Sequence, residues 1–148
     1  MYFLKNRKKH ENRKKHANCV KQLRESNAGT YIGATPVLIA AETGHAECLQ
    51  LLLENNADPN FATTDDGTTP AYMAAQEGHT ECLQLLLLHK ADPNKATTDY
   101  GVTPAYVAAR YGHAECLKLL LENNAEPNKA RTDYGATPAF IAAQNGHA

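Results

Sequence analysis

Four glycines at one interval, Gly33, Gly67, Gly101 and Gly135, divide the chain into copies of 34 residues. Each full copy opens G-x-T-P, passes through A-A to G-H-x-E-C-L and L-L-L, and closes A-(D/E)-P-N before T-D. A repeat of this length fits a solenoid, in which one supersecondary unit cannot bury its own apolar face and must stack on the next copy. Full copies occupy 33–66, 67–100 and 101–134, and a fourth starts at Gly135 and stops part-way, at Ala148.

Within a copy, Thr35 precedes Pro36, which sets an N-capping hydroxyl before a proline at the first helical position. A short first helix should run from there through Val37–Ala41 and stop at Gly44, the residue that most easily takes the left-handed conformation. Ala46–Leu53 carries apolar residues at helical spacing, with Glu47 in the first turn, and predicts a more hydrophobic second helix. It should end near Asn55-Asn56, ahead of Pro59. The polar stretch Phe61–Gly67 reads as a hairpin-like turn.

ATPVLIAAETGHAECLQLLLENNADPN, TTPAYMAAQEGHTECLQLLLLHKADPN and VTPAYVAARYGHAECLKLLLENNAEPN resemble ankyrin repeats, and the resemblance extends over 33–148. It implies an all-α solenoid of helix-turn-helix units with β-hairpin-like loops, curved so that one face is concave. It further implies a non-catalytic protein–protein interaction module, an adaptor or scaffold that holds its partner on the concave face and the hairpin tips. The copies depart from the family pattern in their extra loop residue, in Pro59, Pro93 and Pro127, and in T-P-A-Y at Ala71-Tyr72 and Ala105-Tyr106. T-P-A-F at Ala139-Phe140 and T-P-V-L at Val37-Leu38 complete that last set, as though bulk lost at one position returns at the next.

The net charge of −1 conceals an asymmetry. Between Lys5 and Arg24 nine basic residues face the single acid Glu11, a net +8, and the rest of the chain carries −9. Residues 1–15 therefore read as a basic arm, with the tandem Asn6-Arg7-Lys8-Lys9-His10 and Asn12-Arg13-Lys14-Lys15-His16. The arm, Lys5–Lys15, suits contact with an anionic surface, a nucleic acid or a nuclear import receptor, or serves as a solvated extension. No aromatic residues interleave its bases, which argues against dedicated single-strand recognition. His16–Leu23 matches His45–Leu52 in residue type, so a capping helix is expected over 12–26, in a cap-and-linker segment 16–32.

No apolar run approaches the length that spans a bilayer, and Met1–Leu4 gives way to Lys5 before a secretory signal could form. A cytoplasmic chain is expected, or a nuclear one where the arm is read as an import signal. Because the fourth copy breaks off before its second helix, Phe140 and Ile141 are expected to lack cover. A chain cut from a longer protein, as the recognition part of an enzyme or effector, is the corresponding expectation. Otherwise a monomer is expected, whose uncapped end offers a surface for self-association.

His16/Cys19, His45/Cys48, His79/Cys82 and His113/Cys116 form H-x-x-C pairs of zinc-ligand type. Stacked helices stand about 8–10 Å apart, which carries each pair to its own layer and leaves no four ligands converging. The same spacing is expected to exclude disulfides between successive cysteines, whose Cα atoms must come within about 7 Å. The cysteines read as small buried residues, and no metal or cofactor is expected. Glu47, Glu81 and Glu115 are themselves repeated, so none has the distinct environment that a catalytic acid or base requires, and no catalytic residue is expected.

The copies differ beside the T-D-x-G tips and just before the G-H corner. Those positions are expected to face a partner: Asp66, Tyr100 and Tyr134 at the tips, Val102 after the glycine, and Glu42, Gln76, Glu77, Arg110, Tyr111 and Gln144 on the first helices. Tyrosine and arginine are enriched among residues that dominate binding energy.

Overall fold

The computed structural model describes residues 2–25 and 33–147. These form helices α1 (Tyr2–Glu25), α2 (Pro36–Thr43), α3 (Ala46–Glu54), α4 (Pro70–Glu77), α5 (Thr80–Leu88), α6 (Pro104–Tyr111), α7 (Ala114–Glu122) and α8 (Pro138–Gln144), with no strand among the described residues. Residues 26–32, the last part of the expected cap-and-linker segment 16–32, and the terminal Ala148 lie outside the described residues, as do the side chains of Lys5 and Arg24.

Each first helix begins as its sequence dictates. The hydroxyls of Thr35, Thr69, Thr103 and Thr137 accept from the backbone N–H three residues on, at 3.1–3.2 Å, and proline fills the next position. Each full unit's first helix stops at a glycine with φ of 73–75°, and two residues of corner turn the chain back into an antiparallel second helix. At Gly78 a Cβ would also stand 2.7 Å from Nδ1 of His113, so the corner admits no side chain on either count. The second helices end on a positive-φ residue, Asn56 (63°), Lys90 (71°) and Asn124 (67°), so the middle unit sets a lysine where asparagine is expected.

Stacking then builds two layers. Helices α2, α4, α6 and α8 pack side by side through their small Ala-Ala pairs, and α3, α5 and α7 cover them with Leu49, Leu83, Leu86 and Leu120, all fully buried. Successive units are also bonded. The ring Nε2 of His79 donates to the Glu42 carbonyl (3.0 Å), that of His113 to Gln76 (2.9 Å) and that of His147 to Arg110 (3.1 Å). The Asn60 side chain donates to the Lys90 carbonyl (3.0 Å) and accepts from the Asp92 N–H (2.7 Å), and Asn94 repeats this with Asn124 and Glu126.

Three expectations need correction. The basic arm and the capping helix are one helix, α1, beginning at Tyr2 rather than near residue 12; the segment holds no glycine or proline to interrupt it. Cys19 of α1 and Cys48 of α3 form a disulfide, with Cα atoms 5.3 Å apart. The layer spacing does not govern this pair because α1 has no first helix of its own to hold it at that distance; Cys82 and Cys116 are free and buried, as the spacing requires. Finally, Ile141 is only 7% exposed, because a first helix buries its inner edge against the preceding unit, while Phe140 stays 56% exposed.

Candidate partner-binding face

The first helices and the hairpin tips share one side of the stack. Each hairpin is pinned by backbone bonds, Thr63 N–H to the Thr68 carbonyl (2.9 Å), Thr97 to Val102 (3.0 Å) and Arg131 to Ala136 (2.9 Å). Neighbouring tips are joined by the Thr98 N–H to the Asp66 carbonyl (2.7 Å) and the Thr132 N–H to Tyr100 (2.9 Å). The three corner-histidine bonds end on the carbonyls of Glu42, Gln76 and Arg110, so each histidine fixes the backbone of a predicted site residue in the preceding unit.

Between α4, α6 and the tips lies a cavity of about 210 Å³, lined by Asp66, Tyr72, Asp99, Tyr100, Tyr106, Arg110, Tyr111 and Arg131, among others. Four predicted residues, Asp66, Tyr100, Arg110 and Tyr111, thus meet in one place. Val102 also reaches the cavity but is 8% exposed, so it belongs to the packing beneath the face more than to its surface. Tyr134 is exposed at the next tip, and Gln144 is exposed on α8. Glu42, half-buried on α2, and Glu77, exposed at the end of α4, do not line this cavity.

Arg131 is the residue that pattern reading missed. Its counterparts Thr63 and Thr97 each use a hydroxyl to accept from a buried N–H of the hairpin, Thr68 (2.9 Å) and Val102 (3.0 Å). An arginine gives up that clamp. In exchange its guanidinium stands over Tyr134 (4.6 Å), Tyr100 (5.1 Å) and Tyr106 (5.7 Å), and is held in place by a two-point pair with Asp133. The break in the T-T-D run at Arg131-Thr132-Asp133 was the available signal. On the other wall, Arg110 lies over the Tyr111 ring at 5.6 Å and has no ion pair among the described residues.

The electrostatics follow from these contacts. Burial by itself would raise the Asp66 carboxyl, but hydrogen bonds from the Thr63 hydroxyl and from Thr68 hold it below the usual carboxylate range. Glu42 moves the other way, raised by burial and by the charge of Glu77, and its Oε2 has no hydrogen-bond partner. Burial, then the Tyr111, Asp66 and Asp99 groups, raise Tyr72, against a lowering by Arg110. Among the described residues no three His, Cys, Asp or Glu side chains converge as a metal site would require, and no helix is long and apolar enough to cross a membrane.

A family model described as ankyrin repeats (3 copies) matches residues 11–97 and 87–148, which takes in most of the chain. The chain belongs to the ankyrin-repeat family. Its match reaches back to residue 11, inside α1, so the later half of that helix counts within the ankyrin array. A search of curated proteins finds no match to the chain. Ankyrin repeats are generally protein–protein interaction modules and typically non-catalytic.

Proposed function

We propose that this ankyrin array is a non-catalytic adaptor that captures a partner protein on the face formed by its first helices and hairpin tips. The observation that carries the reading is the meeting of Tyr100, Arg110, Tyr111 and Arg131 around one cavity, with Tyr134 exposed beside it. Aromatic and arginine side chains set on a rigid frame anchor interfaces at low entropic cost. The candidate contacts are Glu42, Asp66, Gln76, Glu77, Tyr100, Arg110, Tyr111, Tyr134 and Gln144, with Arg131 added.

A second reading rests on α1. The side chains of Arg7, Lys8, Lys9, Arg13, Lys14 and Lys15 are all exposed on this helix, and Lys9, Arg13 and His16 line a 450 Å³ groove between α1 and α3. Under that reading the helix tethers the protein to an anionic surface, a nucleic acid or an import receptor, and binding falls steeply with salt. Removing residues 1–15 separates the two. Partner capture that survives the truncation and is lost in Tyr111→Ala supports the adaptor; capture lost on truncation and insensitive to Tyr111→Ala supports the tether.

A cytoplasmic location is part of the proposal. Cytosolic reductants keep thiols reduced, so there Cys19 and Cys48 stand as a dithiol, and the bond between them belongs to oxidising conditions.

A further inference from the structure

Tyr106 lines the 210 Å³ cavity and is itself only 1% exposed, yet its Oη has no hydrogen-bond partner. An unpaired buried hydroxyl is a standing cost, and most buried polar groups in folded proteins are paired. Its polar neighbours are the Tyr134 hydroxyl and the Arg131 guanidinium; burial first, then Tyr134, raises its pKa, against a lowering by Arg131, so it stays protonated at neutral pH.

The other groups around the cavity sort by whether they are already engaged. Asp66 Oδ1 accepts from the Thr63 hydroxyl (2.7 Å) and the Thr68 N–H (3.0 Å), and Asp99 Oδ1 from the Tyr100 N–H (2.6 Å), so these acids serve the hairpins. Arg131 commits Nε and Nη2 to Asp133 and is also acted on by the Tyr106 phenol, so it serves the cavity wall. Arg110 is exposed and without an ion pair among the described residues. Donors thus converge from the Tyr106 hydroxyl and Arg110, and an entering cation would meet two guanidinium groups, while each acid has its Oδ1 already engaged. The volume falls below the roughly 300 Å³ at which small-molecule sites begin, and suits one side chain.

We infer that this cavity is a specificity pocket for an acidic side chain, aspartate or glutamate, presented by a linear segment of the partner protein. The inference rests on the first-helix face being the partner surface. The carboxylate accepts from the Tyr106 hydroxyl and from Arg110, with the rings of Tyr72 and Tyr111 as its walls. Charge-assisted bonds of this kind are stronger than neutral ones, and they add selectivity because an amide in the same place leaves donors poorly matched.

The test is selection of random linear peptides, displayed on phage, against the immobilised full chain. Binding constants are then measured for a selected peptide and for its acid-to-amide variant. The expected result is an acidic residue at one fixed position, with binding about tenfold weaker or more when it becomes the amide. That penalty should shrink towards unity in Tyr106→Phe and in Arg110→Gln, and partly return in Arg110→Lys. Tyr106→Phe keeps the ring and deletes an unpaired hydroxyl, so its melting temperature should not fall, which separates pocket chemistry from folding. Peptides without a fixed acid, whose binding is nonetheless lost in Tyr111→Ala, would overturn the pocket and leave the partner face standing. Selected peptides that bind Tyr111→Ala and Tyr106→Phe as well as the wild type, or a selection that yields none, would overturn both.

Discussion

The corner glycine and histidine show how much one position can carry. Gly78 has φ of +73°, and a Cβ there would lie 2.7 Å from Nδ1 of His113, whose Nε2 donates to Gln76. Gly78→Ala therefore combines a left-handed strain of about 1–2 kcal/mol with a clash that displaces the inter-unit bond. Urea denaturation should show a loss of about 2 kcal/mol or more. Asp66 gives a pH dependence. Its folded-state pKa lies below the ordinary value of about 3.9, so its contribution is present above that value and is lost as pH falls through the folded-state pKa. Between about pH 5 and 2 the stability of Asp66→Asn should fall less steeply than that of the wild type. Cys82 is fully buried, and burial pushes its thiol up to about 11, so iodoacetamide near neutral pH should label it only on unfolding. Of these residue-level facts, the glycine corner was legible from the G-H spacing. The three aromatic contacts of Arg131 were not, because its partners Tyr100, Tyr106 and Tyr134 come from different parts of two units and meet only after stacking.

Among the elements, the repeat helices could be read almost in full. Thr-Pro starts and Gly-His corners are local signals, and the local backbone obeys them at Thr35, Thr69, Thr103 and Thr137. Helix α1 resisted such reading, since its basic run suggested a solvated arm although it contains no residue that breaks a helix before Glu25. Its attachment to the array depends on pairings that periodicity does not encode: Cys19 with Cys48, Lys15 with Glu47 at 3.0 Å, and a buried Leu23. The ion pair is half or more exposed at both ends and adds little. The disulfide closes a separation of 29 residues, for which chain-entropy arguments give about 3–4 kcal/mol. Adding dithiothreitol should lower the stability of α1 docking by up to that amount, read as faster backbone hydrogen exchange along α1, while α4–α7 exchange as before. Equal acceleration throughout the array would contradict this arrangement of forces.

At the level of the whole molecule, stability is shared between neighbours. Successive repeat units are joined through a corner histidine, a loop asparagine or a hairpin tip, and among the described residues the main helix packing runs within a unit or between neighbouring units. The histidine bonds that tie unit to unit end on the backbone of Glu42, Gln76 and Arg110, beneath the proposed face. The two layers leave exposed residues of different character on their outer sides. Tyr111 on α6 is exposed among tyrosines and arginines of the cavity, whereas Leu88 is exposed at the end of α5, in the other layer. A photo-crosslinking amino acid placed at Tyr111 in one protein and at Leu88 in another distinguishes the two layers as partner surfaces, with one selected peptide as the common probe. A covalent adduct is expected from position 111 and none from position 88; adducts from position 88 alone would put the partner on the second-helix layer and overturn the proposed face.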